Sequence, residues 1–251
     1  MNRKSVLTIR DLHKNFDGIL ALDGIDLNIN EGEIVGLIGP NGAGKTALLN
    51  TITGFYRATS GSIQFLGYDI EKMPLHRIGR LGIGRTFQNI RLFKRMTVLE
   101  NVMVANKAHA VHPLRAFLDF RKRSAAMNEA MDLLQLLQLE SKADQLASSL
   151  SYGDARRLEI ARALAGRPAL LLLDEPAAGM NEMETEQLVV DIQTVRTSVK
   201  AMLLIEHDMG LIRNLSDRIV AMNYGKKIAE GKVEYVLSHP EVRKAYLGDD
   251  E

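Results

Sequence analysis

Hydrophobic residues along the chain form two alternating patterns. Short runs rich in β-branched residues and leucine end at turn residues and predict strands. These runs cover residues 7–9, 25–29, 34–38, 63–65, 169–173, 202–205 and 218–222. Apolar residues at helical spacing lie between several of the runs and predict helices at 45–53, 124–137, 155–164, 185–196 and 209–215. Strands that alternate with helices indicate an α/β fold with a parallel sheet, and the closer spacing of the early strands indicates an antiparallel β element at the start.

The middle of the chain has a different pattern. From about residue 93 to 147 no run resembles a strand, whereas apolar residues such as Met127, Met131 and Leu134 recur at helical spacing. We therefore predict a helical subdomain, at about 93–155, inserted into the core of a single domain that covers residues 1–251.

A basic cluster lies within this middle segment, at Arg115, Arg121, Lys122 and Arg123. Such a cluster can contact lipid headgroups or a partner protein. A solvated helix face is the more common role for a run of charges. The sequence leaves both interpretations open.

Composition excludes several classes of site. The 32 basic and 31 acidic side chains nearly cancel, so the overall charge gives no indication of a nucleic-acid partner. The chain has no cysteine, which excludes disulfides, thiolate zinc sites, iron–sulfur clusters and cysteine nucleophiles and suits a reducing cytosol. Apolar runs such as 169–173 are far shorter than the roughly 20 residues of a membrane span, and the first residues do not form a secretory signal.

A glycine-rich segment connects the predicted strand 34–38 to the helix that follows. It reads Gly39, Pro40, Asn41, Gly42, Ala43, Gly44, Lys45 and Thr46. This order of strand, loop and helix is the context of a phosphate-binding P-loop. Glycines lack Cβ atoms, so successive backbone N–H groups can converge on phosphate oxygens at the helix N-terminus. We expect Lys45 to neutralise the β- and γ-phosphates and the Thr46 hydroxyl to bind Mg²⁺.

Two carboxylates, Asp174 and Glu175, follow the uniformly apolar run 169–173, which is typical of a strand buried on both faces. They would lie at the ligand edge of a parallel sheet. Asp174 is expected to bind Mg²⁺, directly or through water, and Glu175 to accept a proton from the attacking water. Acids at a strand end are common in ordinary loops, so this assignment depends on the P-loop beside them.

Four further residues are weaker candidates when each is considered alone. Gln88 and His207 each follow an apolar run. Gln88 is a candidate contact of Mg²⁺ or of the water, and His207 of the γ-phosphate, although either residue is more often a hydrogen-bonded polar group at a strand end. Ser151 is a candidate helix N-cap, and Gly153 would leave backbone N–H groups uncovered.

Together these segments resemble the ABC ATPases. GPNGAGKT, Gln88, LSYGD, LLLLDEP, AGMN and His207 occur in that family's order and approximate spacing over essentially the whole chain. The resemblance implies a P-loop core with a helical subdomain, in which two copies bind head to tail. Each ATP would lie between the P-loop of one subunit and the signature motif of the other, here Ser151 and Gly153. Phe16 matches the position that stacks on adenine, and it fits a core position of a strand equally well.

A narrower resemblance is to the ATPases of branched-chain amino-acid (Liv-type) importers. It rests on RTFQNIRLFKRMTVLENVMVA, LSYGDARRLEIARAL, LDEPAAGMN, LLIEHDM and the terminal AYLGDDE. Residues 90–93 match the segment that such ATPases place against the coupling helix of the membrane subunit. Tyr152 and Asn181 depart from the general ABC pattern and fit this subgroup. Asp154, at the glutamine position of the signature, fits neither pattern.

The resemblance implies a Mg²⁺-dependent ATPase in the cytoplasm, peripheral on the inner face of the cell membrane. Expected partners are ATP, a second ABC ATPase subunit (the same chain or a similar one), integral membrane permease subunits and, indirectly, a substrate-binding protein. No nucleic acid is expected. Branched-chain amino acids are the implied cargo, with urea or another small polar solute as the alternative.

Two other functions remain as alternatives to a transport ATPase. A soluble ABC ATPase that acts on DNA or ribosomes usually has two ATPase units, long coiled coils or zinc cysteines, and this chain has one P-loop, no sustained heptads and no cysteine. A nucleotide sensor that does not hydrolyse ATP would not need both Glu175 and His207, which this chain retains.

Asp154 leads to a separate hypothesis. An acid in the first turn of a helix stabilises that helix. In a closed dimer the same turn would face the partner's ATP, and like charges about 9 Å apart repel by about 2 kcal/mol at an effective dielectric of 20. We expect this repulsion to weaken self-pairing and to favour a heterodimer, most clearly at low salt.

Overall fold

Two β-sheets organise the chain. The computed structural model describes residues 4–106 and 120–247. The strands are β1 (Ser5–Phe16), β2 (Ile19–Asn30), β3 (Ile34–Ile38), β4 (Ser60–Phe65), β5 (Tyr68–Asp69), β6 (Ile83–Arg85), β7 (Leu170–Asp174), β8 (Ala201–Ile205), β9 (Arg218–Asn223) and β10 (Lys226–Gly231). The predicted α/β fold with an antiparallel element is confirmed.

The first sheet is antiparallel, with strand order β2-β1-β4-β5. Its two long strands extend well beyond the predicted segments 7–9 and 25–29. The sequence underestimated them because β1 continues through polar residues after a register shift between Ile9 and Leu12. Asp11 lies inside that shift with a φ of 45°, in the left-handed region.

The second sheet has the order β10-β9-β3-β8-β7-β6, and all of its neighbours are parallel except β10 and β9. Every residue of β3, β7 and β8 is buried, as expected for apolar strands covered on both faces. Alternate side chains of β7 enter different hydrophobic clusters, with Leu170 and Leu172 on one face and Leu171 and Leu173 on the other. The loops after these parallel strands therefore meet at one edge of the sheet.

The helices are α1 (Lys45–Ile52), α2 (Leu75–Leu81), α3 (Val98–Ala105), α4 (Phe120–Leu136), α5 (Tyr152–Ala165), α6 (Glu182–Val195), α7 (Met209–Leu215), α8 (Val233–Ser238) and α9 (Pro240–Leu247). Short 3₁₀ turns lie at Glu140–Lys142, Ala147–Ser149 and Arg196–Ser198. The sequence did not predict α2, α3, α8, α9, β5 or β10, all of which are short.

Helices α3, α4 and α5 pack against one another in the middle of the chain. Their contact is apolar and includes Val102, Leu134 and Leu158, which are fully buried. The subdomain limits at about 93 and 155 remain a prediction. The basic side chains at 115 and 121–123 lie outside the described part of the structure. Within the described ranges, no helix has the length and apolar content needed to cross a membrane.

Candidate functional site

Glycines fix the loop between β3 and α1. Gly39, Gly42 and Gly44 have φ values of 153°, 83° and 101°, in the region that favours glycine. A Cβ atom on Gly39 would lie 2.3 Å from the carbonyl oxygen of Met222, and one on Gly44 would lie 2.6 Å from that of Ala21. The loop therefore depends on the missing Cβ atoms both for its backbone angles and for its packing against neighbouring backbone.

Lys45 is the first residue of α1, and only 6% of its surface is exposed to solvent. Its Nζ donates to the carbonyl oxygens of Gly39 at 2.5 Å and of Pro40 at 3.0 Å. Burial lowers the pKa of Lys45, and the charges of Glu175 and Asp174 oppose that shift. Ala43 is also buried, whereas Asn41 and Thr46 are exposed at the loop surface.

Asp174 ends β7 and is 6% exposed. Its Oδ2 accepts a hydrogen bond of 2.8 Å from Arg85, whose other terminal nitrogen donates to Asn50 at 2.7 Å. Arg85 thus joins the end of β6 to the carboxylate and to α1. The sequence analysis did not single out Arg85, since a lone arginine at a strand end has no distinctive spacing.

Glu175 receives two of the predicted side chains. Gln88 Nε2 donates to its Oε2 at 2.6 Å, and His207 Nε2 lies 2.9 Å from its Oε1. The backbone of Glu175 has a φ of 47°, and its N–H donates to Ile205 at 2.9 Å. Left-handed backbone angles are uncommon for residues other than glycine, and those that occur are concentrated at functional sites. Three loops that are far apart in sequence therefore converge on one carboxylate.

Glu206 holds the loop that carries His207. Its carboxylate accepts hydrogen bonds from the backbone N–H of Ala177 at 2.7 Å and of His207 at 3.0 Å. Burial raises the pKa of Glu206, although these backbone donors partly offset the shift. The loops after β7 and β8 are thus joined by a buried side chain that the sequence analysis did not assign.

The residues expected to bind a metal supply oxygen donors: the Thr46 hydroxyl, the Gln88 amide and the Asp174 carboxylate. In the described residues, no group of three or more His, Cys, Asp or Glu side chains could hold a metal ion by itself. Mg²⁺ is commonly bound through one or two carboxylates together with substrate phosphates, so this donor set fits Mg²⁺ only beside a phosphate ligand.

Phe16 is half-buried at the end of β1 and does not belong to either hydrophobic cluster. Its ring meets Tyr56 edge to face, with 4.9 Å between ring centroids. Lys14 Nζ lies 4.3 Å from the Phe16 centroid. The core interpretation of Phe16 is therefore the weaker one, and an aromatic surface with an adjacent cation is present on β1.

Ser151 caps α5, with its Oγ accepting from the Asp154 N–H at 3.2 Å. A Cβ on Gly153 would lie 3.2 Å from a carboxylate oxygen of Glu184 on α6. Asn181 caps α6 in a reciprocal capping box with Glu184. A cavity of about 420 Å³ runs along this surface and is lined by α5, α6 and the residues just before α6, with no P-loop residue.

Asp154 is buried within a group of charges. Lys142 Nζ contacts its Oδ2, and Arg157 lies 3.5 Å from its Oδ1. Arg157 also donates to Asp191 at 2.8 Å, and Gln187 donates to the same carboxylate at 3.1 Å. Burial opposes ionisation of Asp154, but the bonds from Lys142 and Ser151 and the nearby charges give a net lowering of its pKa. We call these four charged residues, at positions 142, 154, 157 and 191, the signature charge cluster.

Arg156 connects α5 to the segment that contains Gln88. Its guanidinium, with no solvent exposure, donates to the carbonyl oxygens of Phe87 at 2.8 Å and of Gln88 at 3.0 Å. It also donates to Glu159 at 2.7 Å, and Tyr152 Oη donates to the Ala178 carbonyl at 2.6 Å. The sequence analysis missed Arg156 because the adjacent arginines at 156 and 157 look alike in sequence.

Comparisons with known proteins agree with this geometry. Residues 22–178 match the family model described as ABC transporter, and residues 226–251 match that described as branched-chain amino acid ATP-binding cassette transporter. The chain is 44% identical over 252 residues to the high-affinity branched-chain amino acid transport ATP-binding protein BraF of Pseudomonas aeruginosa, covering 98% of this chain and 99% of that protein.

Two solved structures are similar over most of the chain. The ADP conformation of an ATP-binding cassette of an ABC transporter matches with a TM-score of 0.86 and 32% identity, covering 98% of this chain and 99% of that one. A dimeric, post-hydrolysis state of an ATP-binding cassette bound to ADP and Pi matches with a TM-score of 0.75 and 26% identity, covering 90% of this chain and 98% of that one.

Proposed function

The chain belongs to the ABC transporter family, and we propose that it is the ATP-hydrolysing subunit of an importer for branched-chain amino acids. The cargo is supported by the relative BraF, whose name specifies branched-chain amino acid transport, and by the match of residues 226–251 to a branched-chain amino acid family model. Hydrolysis is supported chiefly by one observation, the convergence of Gln88 and His207 on the Glu175 carboxylate.

The P-loop supplies the binding of the phosphates. Its backbone N–H groups and the N-terminus of α1 favour an anion, and the first turn of α1 carries no acidic residue. Lys45 would exchange its bonds to the Gly39 and Pro40 carbonyls for the β- and γ-phosphates. Thr46, Gln88 and Asp174 would hold Mg²⁺, which neutralises phosphate charge when it is bound.

Glu175 would accept the proton of the attacking water. Its carboxylate is held on one side by the Gln88 amide and on the other by the His207 ring, so it is oriented before the reaction. The water oxygen then bonds to the γ-phosphorus, and the bond between the γ-phosphorus and the oxygen that bridges it to the β-phosphate breaks. The products are ADP and phosphate. His207, whose Nε2 lies 2.9 Å from Glu175 Oε1, would contact the γ-phosphate as that exchange proceeds.

A second ATPase subunit would complete the site. The surface that carries Ser151 and Gly153 is lined by α5 and α6 and includes no P-loop residue. The similarity to a dimeric ATP-binding cassette supports a pair of subunits, and the resemblance to ABC ATPases implies a head-to-tail pair in which this surface covers the partner's nucleotide. Pairing with an identical chain or with a similar one are both compatible with this arrangement.

A surface next to Gln88 would receive the membrane permease. It encloses about 350 Å³ and includes Arg91, Arg162 and two aromatic rings, Phe87 and Phe93. Phe93 is 49% exposed and the Arg162 guanidinium lies 4.9 Å from its ring centroid, so aromatic and cationic groups lie side by side on a surface that a partner could cover. The Phe87 and Gln88 carbonyls bind Arg156, so this surface and the hydrolytic site share one segment.

Replacement of Glu175 by glutamine tests the hydrolytic role. The amide keeps the shape of the side chain but cannot accept the proton, so we expect kcat to fall by about 10²- to 10⁴-fold with ATP affinity retained. The variant should accumulate as a dimer with ATP in size-exclusion chromatography. Glu182→Gln, at an exposed acid in the first turn of α6, is the control and should hydrolyse ATP normally. Near-wild-type turnover in Glu175→Gln would assign the base to another residue.

Uptake by cells tests the cargo. A strain that lacks this chain should lose uptake of radiolabelled leucine, isoleucine and valine, and the wild-type chain should restore it while Glu175→Gln does not. Urea uptake is the comparison. Loss of urea uptake with normal uptake of the three amino acids would contradict the proposed cargo and leave the ATPase assignment intact.

A further inference from the structure

Asp154 lies in the first turn of α5, within the signature motif, and the positive charges of Lys142 and Arg157 compensate its negative charge. The signature charge cluster contains one lysine, one arginine and two aspartates, so its formal charges cancel. The long-range repulsion expected from an isolated Asp154 is therefore largely removed by Lys142 and Arg157. A different property of Asp154 then becomes important, its bond to the signature serine.

The Ser151 hydroxyl is fully engaged by Asp154. Its Oγ donates its single proton to Asp154 Oδ2 at 2.7 Å and accepts from the Asp154 N–H at 3.2 Å. A phosphate oxygen can only accept a hydrogen bond, so Ser151 can bind one only by turning that proton away from Asp154. Hydrogen bonds to a carboxylate are roughly twice as strong as those between neutral groups, so the exchange opposes closure.

We propose that Asp154 is a positioning residue that holds the Ser151 hydroxyl away from the partner's ATP until the dimer closes. The proposal rests on the proposed function, because it requires a head-to-tail pair around ATP. Lys142 contributes by sharing Asp154 Oδ2 with Ser151, which keeps the carboxylate in place. We call the hydrogen bond from the Ser151 hydroxyl to Asp154 Oδ2 the hydroxyl lock. It would act on dimer closure alone, because the cavity that Asp154 lines includes no P-loop residue.

The main test is Asp154→Asn in a Glu175→Gln background, with sedimentation as the readout. The neutral amide holds the Ser151 proton less strongly, so we expect the dimer dissociation constant with ATP to fall about five- to tenfold. ATP affinity of the monomer, measured at low protein concentration, should stay unchanged. Asp144→Asn is the matched control, because Asp144 is exposed in the same segment and its loss changes the net charge equally.

Charge repulsion and the hydroxyl lock differ in their salt dependence. A lock predicts the same tightening at about 50 mM and about 300 mM NaCl, whereas repulsion between separated charges is screened at the higher concentration. The double variant Asp154→Asn with Lys142→Met keeps the net charge of the cluster. It should still dimerise more tightly than the parent, and tightening confined to low salt would overturn the lock.

Ser151→Ala provides an independent measurement. Without the hydroxyl, the dimer should weaken several-fold, and Asp154→Asn should then add no tightening. Asp154→Gln is the second replacement at position 154 and should act like Asp154→Asn. If the Glu175→Gln parent never dimerises with ATP, the proposed function fails together with the lock. If the parent dimerises and both Asp154 variants bind equally or more weakly, the lock alone is wrong.

Discussion

The P-loop and the signature helix both contribute to the proposed ATP site, but their shapes have different physical origins. The P-loop is fixed by backbone: left-handed glycines, close approaches to the Met222 and Ala21 carbonyls, and a lysine bonded to its own loop. The start of α5 is fixed by side chains, through a serine cap and a charge cluster that reaches α6. A backbone-built site tolerates almost no added atom, whereas a side-chain-built site can be tuned by single charges.

The largest expected effect is that of Lys45→Ala. The variant removes the positive charge that we expect to contact the phosphates. We therefore expect weaker ATP binding and a fall in kcat of at least about 10²- to 10³-fold. Turnover by the purified protein and nucleotide titration are the measurements. Lys142→Ala removes a cation of the signature side instead and should retain nucleotide binding in the monomer. An unchanged ATPase rate in Lys45→Ala would refute the P-loop assignment.

Gly39→Ala tests the backbone origin of the P-loop directly. The added Cβ would lie 2.3 Å from the Met222 carbonyl, so we expect a loss of about 3 kcal/mol in the free energy of unfolding and poor ATP binding. Urea unfolding monitors the first effect. Gly79→Ala is the control, because a Cβ there meets nothing within 4 Å and the residue lies in α2. Equal stability of the two variants would contradict the comparison.

Asp191→Asn tests the side-chain origin of the signature end. Arg157 would lose its bond to a carboxylate that is 2% exposed, so we expect a loss of about 2 kcal/mol in the free energy of unfolding. Monomer affinity for ATP should not change, since the P-loop is untouched. Glu186→Gln, exposed on the same helix, should leave both quantities unaltered. A large loss of monomer ATP affinity in Asp191→Asn would show that the two regions are not independent.

The smallest expected effect is that of Phe16→Ala. Stacking of a base on an aromatic ring contributes about 1–3 kcal/mol, so the dissociation constant for ATP should rise about fivefold or more. Tyr68→Ala removes an exposed ring from the same antiparallel sheet and should have no effect on binding. Fluorescence titration of a labelled nucleotide provides both values. If Phe16→Ala binds ATP as well as wild type does, adenine stacks elsewhere.

The sequence predicted best those features that depend on the pattern of residues within one short segment. The buried strands β3, β7 and β8 are apolar, and the P-loop, Asp174 and His207 lie at or just after their carboxyl ends, so the fold class and the edge of the sheet that carries the candidate residues followed from the sequence pattern. The polar parts of β1 and the short strand β5 carry no such pattern. They are specified by pairing across the sheet, which a single segment of sequence does not reveal.

The signature end was the least predictable part for the same reason. Lys142 and Asp191 lie 12 and 37 residues from Asp154, so spacing along the chain gives no indication that all three share one cluster. An isolated Asp154 predicts repulsion, whereas Asp154 with its partners predicts a compensated charge and a bound serine. Long-range ion pairs thus changed the interpretation of Asp154, whose departure from the family pattern drew attention to it in the sequence.

Arg156 has an evolutionary consequence. Its guanidinium donates hydrogen bonds to the main-chain carbonyl oxygens of Phe87 and Gln88, and every amino acid provides such a carbonyl. Side chains in the neighbouring surface, such as Arg91 and Phe93, can therefore diverge without loss of the link between α5 and that segment. Substitutions at that surface could therefore change which partner it binds, while the hydrogen bonds between Arg156 and the segment that carries Gln88 are retained.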